Sequence, residues 1–161
     1  FNKYVVMAES TNRYDAKNPY STASGGYQFT EEGAKTAANR VLNTLARMAG
    51  MYNKNNQGAE RQEYMKSGNA PLWLQDVSSG KTRAFEVTPI QQQIMFEGDM
   101  FERKGSDLVV QPLLTGDRNA MNDYYYNFHH TDPQGQTNTK KNWERAIKHV
   151  DFVSGISSVG P

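Results

Sequence analysis

Apolar residues recur at helical spacing along most of the chain. The clearest case covers residues 31–52. There Ala34, Ala37, Ala38, Val41, Leu42, Leu45, Met48, Ala49 and Tyr52 follow the i, i+3, i+4, i+7 rule of an amphipathic helix. Thr30 is a suitable N-cap, Glu31 and Glu32 suit the positive end of the helix dipole, and Gly50 lies near the end. Thr88-Pro89 signals a second helix, because proline's missing N–H costs nothing in a first turn. Ile90, Ile94, Phe96, Met100 and Phe101 follow it, and Gly105 is its stop. Asp117 caps a third helix running toward Tyr126. Thr139 caps a fourth, with Trp143, Ala146, Ile147 and Val150 on one face and Gly155 as its stop. Tyr4, Val5 and Ala8 place one more helix before Glu9.

Strand signals are few. Gly25-Gly26-Tyr27-Gln28-Phe29-Thr30 reads as a short β segment after a turn, with Tyr27 and Phe29 alternating onto one face. Residues 53–70 and 131–138 are polar and loop-like, and 154–161 read as a Ser/Gly-rich linker. The expectation is an α+β chain, mostly α, with one domain over 1–153 and a small β element after the first helix.

Composition narrows the chemistry. With 161 residues the chain is long enough for a core without covalent staples. Lys+Arg 18 against Asp+Glu 17 leaves +1, so it lacks the uncompensated cations of a nucleic-acid binder. Cysteine is absent, which excludes disulfides, thiolate zinc sites and thiol nucleophiles. No apolar run approaches the roughly 18 residues of a membrane span, and no signal peptide is in view. The start at Phe1 rather than Met, inside a structured pattern, leads to the expectation of a piece of a longer polypeptide.

Motifs for phosphate cradles and serine-hydrolase elbows are missing. Adjacent His129 and His130 would diverge by about 100° on a helix, a poor chelating pair, and His149 is the only other histidine. Carboxylate chemistry remains. Glu9 falls where the first helix gives way to a polar stretch, and a glutamic acid backed by apolar neighbours above a cleft can hold and donate a proton.

Glu9-Ser10, then Asn18-Pro19, then Ser24-Gly25-Gly26-Tyr27-Gln28-Phe29-Thr30 resemble the soluble lytic transglycosylases and their lysozyme-like relatives. Thr88-Pro89-Ile90-Gln91-Gln92-Gln93 is similar to a helix start common in these domains. Tyr124-Tyr125-Tyr126-Asn127-Phe128-His129-His130 stands where the family has Tyr-Asn-Ala-Gly, with Phe128-His129 departing from that pattern. The match runs in order through residues 3–150.

The resemblance implies a lysozyme-like fold and cleavage of the β-1,4 bond between N-acetylmuramic acid and N-acetylglucosamine in peptidoglycan. It implies Glu9 as the catalytic acid and base, with Ser24, Gln28 and Tyr126 serving the substrate. Tyr125 is the second choice for the cleft-facing tyrosine, and Ser24 has turn formation as its alternative role. No cofactor or metal is implied. The expected partners are glycan strands and other domains of a larger phage virion protein, with neither nucleic acid nor membrane. The expected place of action is the host periplasm or wall, opened locally as a phage genome enters.

Hydrolytic glycosidases ordinarily need a second carboxylate, about 5 Å away in retaining enzymes and further in inverting ones. Asp15 is the nearest in sequence, and no motif points it at Glu9. A transglycosylase needs one carboxyl group only, because the sugar's own 6-hydroxyl closes a 1,6-anhydro ring. A lone Glu9 therefore favours intramolecular transfer. A hydrolytic muramidase on the same fold and a non-catalytic virion module stay open beside it.

Overall fold

The computed structural model describes residues 1–51, 57–104, 113, 116–129 and 139–155. They are mostly helical, as the apolar spacing predicts. The chain divides into two compact units, a partition absent from the sequence reading. The first unit joins Phe1–Arg13 to Asp107–Pro161, and the second is Tyr14–Ser106.

In the first unit, α1 (Asn2–Ser10) packs on α7 (Thr139–Ser154), with α6 (Arg118–Tyr124) and a π-helical turn (Tyr125–His129) completing it. The third and fourth expected helices are thus present. Asp117 Oδ1 accepts from Ala120 N at 3.1 Å, so the cap acts as its residue type dictates. The core is aromatic. Phe1 meets Tyr124 and Trp143 edge-on, with centroids 5.8 and 6.1 Å apart, and Val5, Val6, Met121, Ala146 and Val150 fill in around them. The stop at Gly155 falls one residue past α7. The expected linker, 154–161, is corrected at its start, since Ser154 still belongs to α7 and Gly155 turns the chain; 156–161 and the loop at 131–138 lie outside the described residues.

The second unit is built around α2 (Glu31–Met48), which packs against α3 (Gln57–Lys66), α4 (Leu72–Ser78) and α5 (Pro89–Lys104). Its inner face is largely alanine, with Ala34, Ala37, Ala38 and Ala46 buried beside Val41 and Leu42. Small side chains let α5 come close. A Cβ at Gly98 would stand 2.4 Å from a Val41 methyl, so only glycine fits there. Polar bonds flank this seam: Arg40 Nη1 to Asp99 Oδ1 and Thr44 Oγ1 to Glu102 Oε1, both 2.5 Å, and an Arg47–Glu102 ion pair. Thr30 and Thr88 cap α2 and α5. At Thr88 the arrangement is reciprocal, since Gln91 Oε1 accepts from Thr88 N while Thr88 Oγ1 accepts from Gln91 N.

Two expectations are corrected here. Residues 57–66, read as loop, form α3. The helix is mostly polar and carries no regular apolar stripe. It is anchored instead by buried Tyr64 and by Arg61 Nη1 donating to Asn43 Oδ1 at 3.1 Å. The segment Gly25 to Thr30, read as a strand, is a tight turn. Gly25 (φ +81) and Gln28 (φ +52) are left-handed, which breaks any extended run. What remains of β structure is two isolated antiparallel bridges, Lys17 with Ser24 and Ser24 with Phe29, and there is no strand among the described residues. The α4 helix and a 3-10 turn at Ala84–Glu86 were not anticipated.

Candidate active site

Glu9 occupies the last turn of α1, half-buried, with Val5 and Val6 facing the core below it. Helical spacing puts Glu9 four residues beyond Val5, hence near the buried face. The helix ends abruptly after it. Thr11 (φ 55) and Asn12 (φ 63) are both left-handed, and Ser10 secures the exit by accepting from Arg13 N at 3.1 Å while donating to Val6 O at 3.0 Å. A β-branched residue in that region is strained, and such strain concentrates at functional segments.

Tyr125 donates its hydroxyl to Glu9 Oε1 at 2.5 Å. The tyrosine is 1% exposed and stacks on Trp143, with centroids 4.3 Å apart and planes 13° from parallel. Burial pushes the Tyr125 hydroxyl well above its ordinary value, and the charge of Glu9 and the bond to it push the same way. It therefore stays a proton-bearing donor to the carboxylate. Tyr124 and Tyr125 are both buried although adjacent. The helical period changes between them, from α to π, and π turns recur at functional sites.

Tyr126, the first choice from sequence, is half-buried with its ring edge-on to Tyr125 at 5.7 Å. Its hydroxyl is also pushed up, by burial and then by Glu144. The bond to Glu9 thus comes from the second-choice tyrosine, and Tyr126 stands beside it. His129 lies 6.0 Å from the Tyr125 ring, and Asn127 Nδ2 bonds Asp123 Oδ1 at 2.8 Å on the surface. His149 is exposed, and His130 lies outside the described residues.

Ser24 and Gln28 belong to the second unit. Ser24 is 1% exposed; its N–H donates to Phe29 O at 2.8 Å and its Oγ accepts from Phe85 N at 3.3 Å. Of the roles open to it, turn formation is the one these bonds perform. Gln28 is half-exposed and folds its amide back onto Gly25 O at 2.8 Å. Tyr27 is core, stacked on Phe96 at 4.6 Å. Asp15 is exposed.

A further buried amide belongs to the helix start at Thr88-Pro89. Gln92, 1% exposed, accepts from Gly26 N at 2.7 Å through Oε1 and donates to Tyr14 O and Val87 O at 2.9 and 3.0 Å. It braces the Gly25-Gly26 turn from α5. The only signal for it in the sequence is its place in the first turns after Thr88-Pro89.

Among the described residues no group of three or more His, Asp and Glu side chains is placed to hold a metal ion, and no helix is long and apolar enough to cross a membrane. Comparison with protein families, with curated proteins and with solved structures finds no match for this chain.

Proposed function

We propose that the protein is a peptidoglycan lytic transglycosylase of lysozyme-like fold, with Glu9 as its single acid and base. The observation that carries this reading is the 2.5 Å bond from Tyr125 to Glu9. A half-buried carboxylate at a helix end, held by a buried phenol, is oriented rather than left to sample solvent. Orientation is what a general acid needs at a leaving oxygen.

In the proposed reaction the Glu9 carboxylic acid gives its proton to the glycosidic oxygen as the bond to C1 of N-acetylmuramic acid breaks. The substrate's N-acetyl oxygen stabilises the cationic centre. The Glu9 carboxylate then takes the proton of the 6-hydroxyl, whose oxygen bonds C1 and closes the 1,6-anhydro ring. No water enters and Glu9 ends protonated as it began. Tyr125 holds the carboxyl in place, and Tyr126 offers its hydroxyl to the sugar. The reading extends to a domain of a virion protein that opens the wall as a genome enters. It implies no cofactor.

Digestion of purified sacculi, read by mass spectrometry, tests it. The parent protein is expected to release fragments lacking one water, with anhydro ends. Glu9→Gln is expected to lose activity by about a hundredfold or more. Fragments with free reducing ends would give the hydrolytic muramidase instead. Intact sacculi would give the non-catalytic module.

A further inference from the structure

We infer that Trp143 is the positioning residue of the Glu9–Tyr125 pair, holding the helix that bears the carboxylate and the turn that bears the phenol on one indole. The geometry stands by itself; the consequence for turnover rests on the reading of Glu9 as acid and base.

Three sides of the indole are engaged. Tyr125 lies on its face at 4.3 Å and 13°. Phe1 and Tyr4, both at the start of α1, meet it at 6.1 and 6.3 Å with planes 76° and 62° away. Its Nε1–H donates to Asn122 Oδ1 at 2.5 Å, which fixes the rotation of the ring in its own plane. Trp143 is 1% exposed, so solvent does not compete for that bond.

The indole therefore touches Tyr125 itself and the start of the helix that carries Glu9. Glu9 is carried by the same helix as Tyr4, and a short helix moves as a rod. The Tyr125 hydroxyl lies on the long axis of its ring, so spinning the ring leaves it in place while tilting the ring moves it. A face-to-face stack opposes tilt. A bond of 2.5 Å tolerates little displacement before it is lost. Leucine at 143 would supply neither the flat face nor the donor, whereas phenylalanine would keep the face.

The first test needs no activity. In the full chain the indole N–H resonance of Trp143 is assigned with Trp73→Phe, which leaves one indole. Glu9→Ala is expected to shift that resonance, and to leave it unmoved when Tyr125→Phe is already present. No shift in the first background, or the same shift in both, overturns the inference. The second test uses sacculi. Trp143→Leu is expected to lower turnover at least about tenfold with half-saturation changed less than about twofold, and Trp143→Phe to recover most of the loss. Trp143→Leu with Tyr125→Phe is expected to be no slower than Trp143→Leu alone, because one acts through the other. Losses that multiply overturn the inference. A parent protein that leaves sacculi intact removes the lytic reading, and the resonance cycle then decides the positioning alone.

Discussion

The phenol of Tyr4 donates to Oδ1 of Asp151 at 2.8 Å, across 147 residues of sequence. Arg118 Nη2 reaches both oxygens of the same carboxylate, at 2.6 and 2.5 Å, and its guanidinium lies 4.9 Å from the centre of the Tyr4 ring. Asp151 has no exposed surface, whereas Arg118 keeps about a third of its side chain in water. Removing the carboxylate strands a cation and a phenol together, while removing the phenol hydroxyl leaves the ion pair intact. Asp151→Ala is expected to cost about 3 kcal/mol and Tyr4→Phe about 1 kcal/mol in denaturant unfolding. Equal losses would show that the ion pair contributes nothing of its own.

Alkaline stability follows from two buried tyrosines. Burial is the main cause that raises the hydroxyls of Tyr125 and Tyr27 above the ordinary 10.0; Glu9 adds to it for Tyr125, and Tyr14 and Glu97 for Tyr27. In the unfolded chain both ionise near pH 10. Above that pH the native state holds the extra protons. The stabilisation is therefore complete below about pH 10 and declines as pH rises, by about 1.4 kcal/mol per pH unit for each retained proton. Tyr125→Phe and Tyr27→Phe are each expected to flatten the decline. Unfolding free energies measured from pH 9 upward, to about pH 11.5, check it.

Thr11 carries a left-handed backbone that its branched side chain resists. Thr11→Gly is expected to raise stability by about 1 kcal/mol, seen as a higher thermal midpoint. A lower midpoint would mean that the threonine side chain contributes more than its backbone costs.

Gln92→Leu keeps the bulk in α5 but leaves the Gly26 N–H and two carbonyls without their side-chain partner. The expected loss is about 2–3 kcal/mol, accompanied by faster amide exchange at Gly26. Unchanged exchange at Gly26 would place the brace elsewhere.

The long helices were legible because their apolar spacing, caps and stops agree, as at Thr30, Thr88 and Asp117. Glu9 is legible only as a candidate, through the Glu-Ser motif and its neighbours. The partner tyrosine was harder. Phase along a regular helix cannot foresee that Tyr124 and Tyr125 both turn inward, because the period itself changes at Tyr125. The α3 helix is not legible, since its anchors, Tyr64 and Arg61, act through tertiary contacts rather than a repeating stripe. The turn at Gly25 resembles a strand in sequence because alternating Tyr27 and Phe29 are both buried in either conformation. What decides between them is the Gln92 amide, contributed from 66 residues further on.

Glu9 and Tyr125 stand 116 residues apart in a unit whose two segments flank a continuous one. On a ribosome the helix bearing the carboxylate emerges early and must wait, its aromatic face uncovered, until Trp143 has been synthesised. The intervening unit has every one of its segments in hand long before that. Interrupting the chain after residue 106 would therefore leave the second unit with all its own contacts, and would strip Glu9 of its phenol and α1 of the indole it rests on.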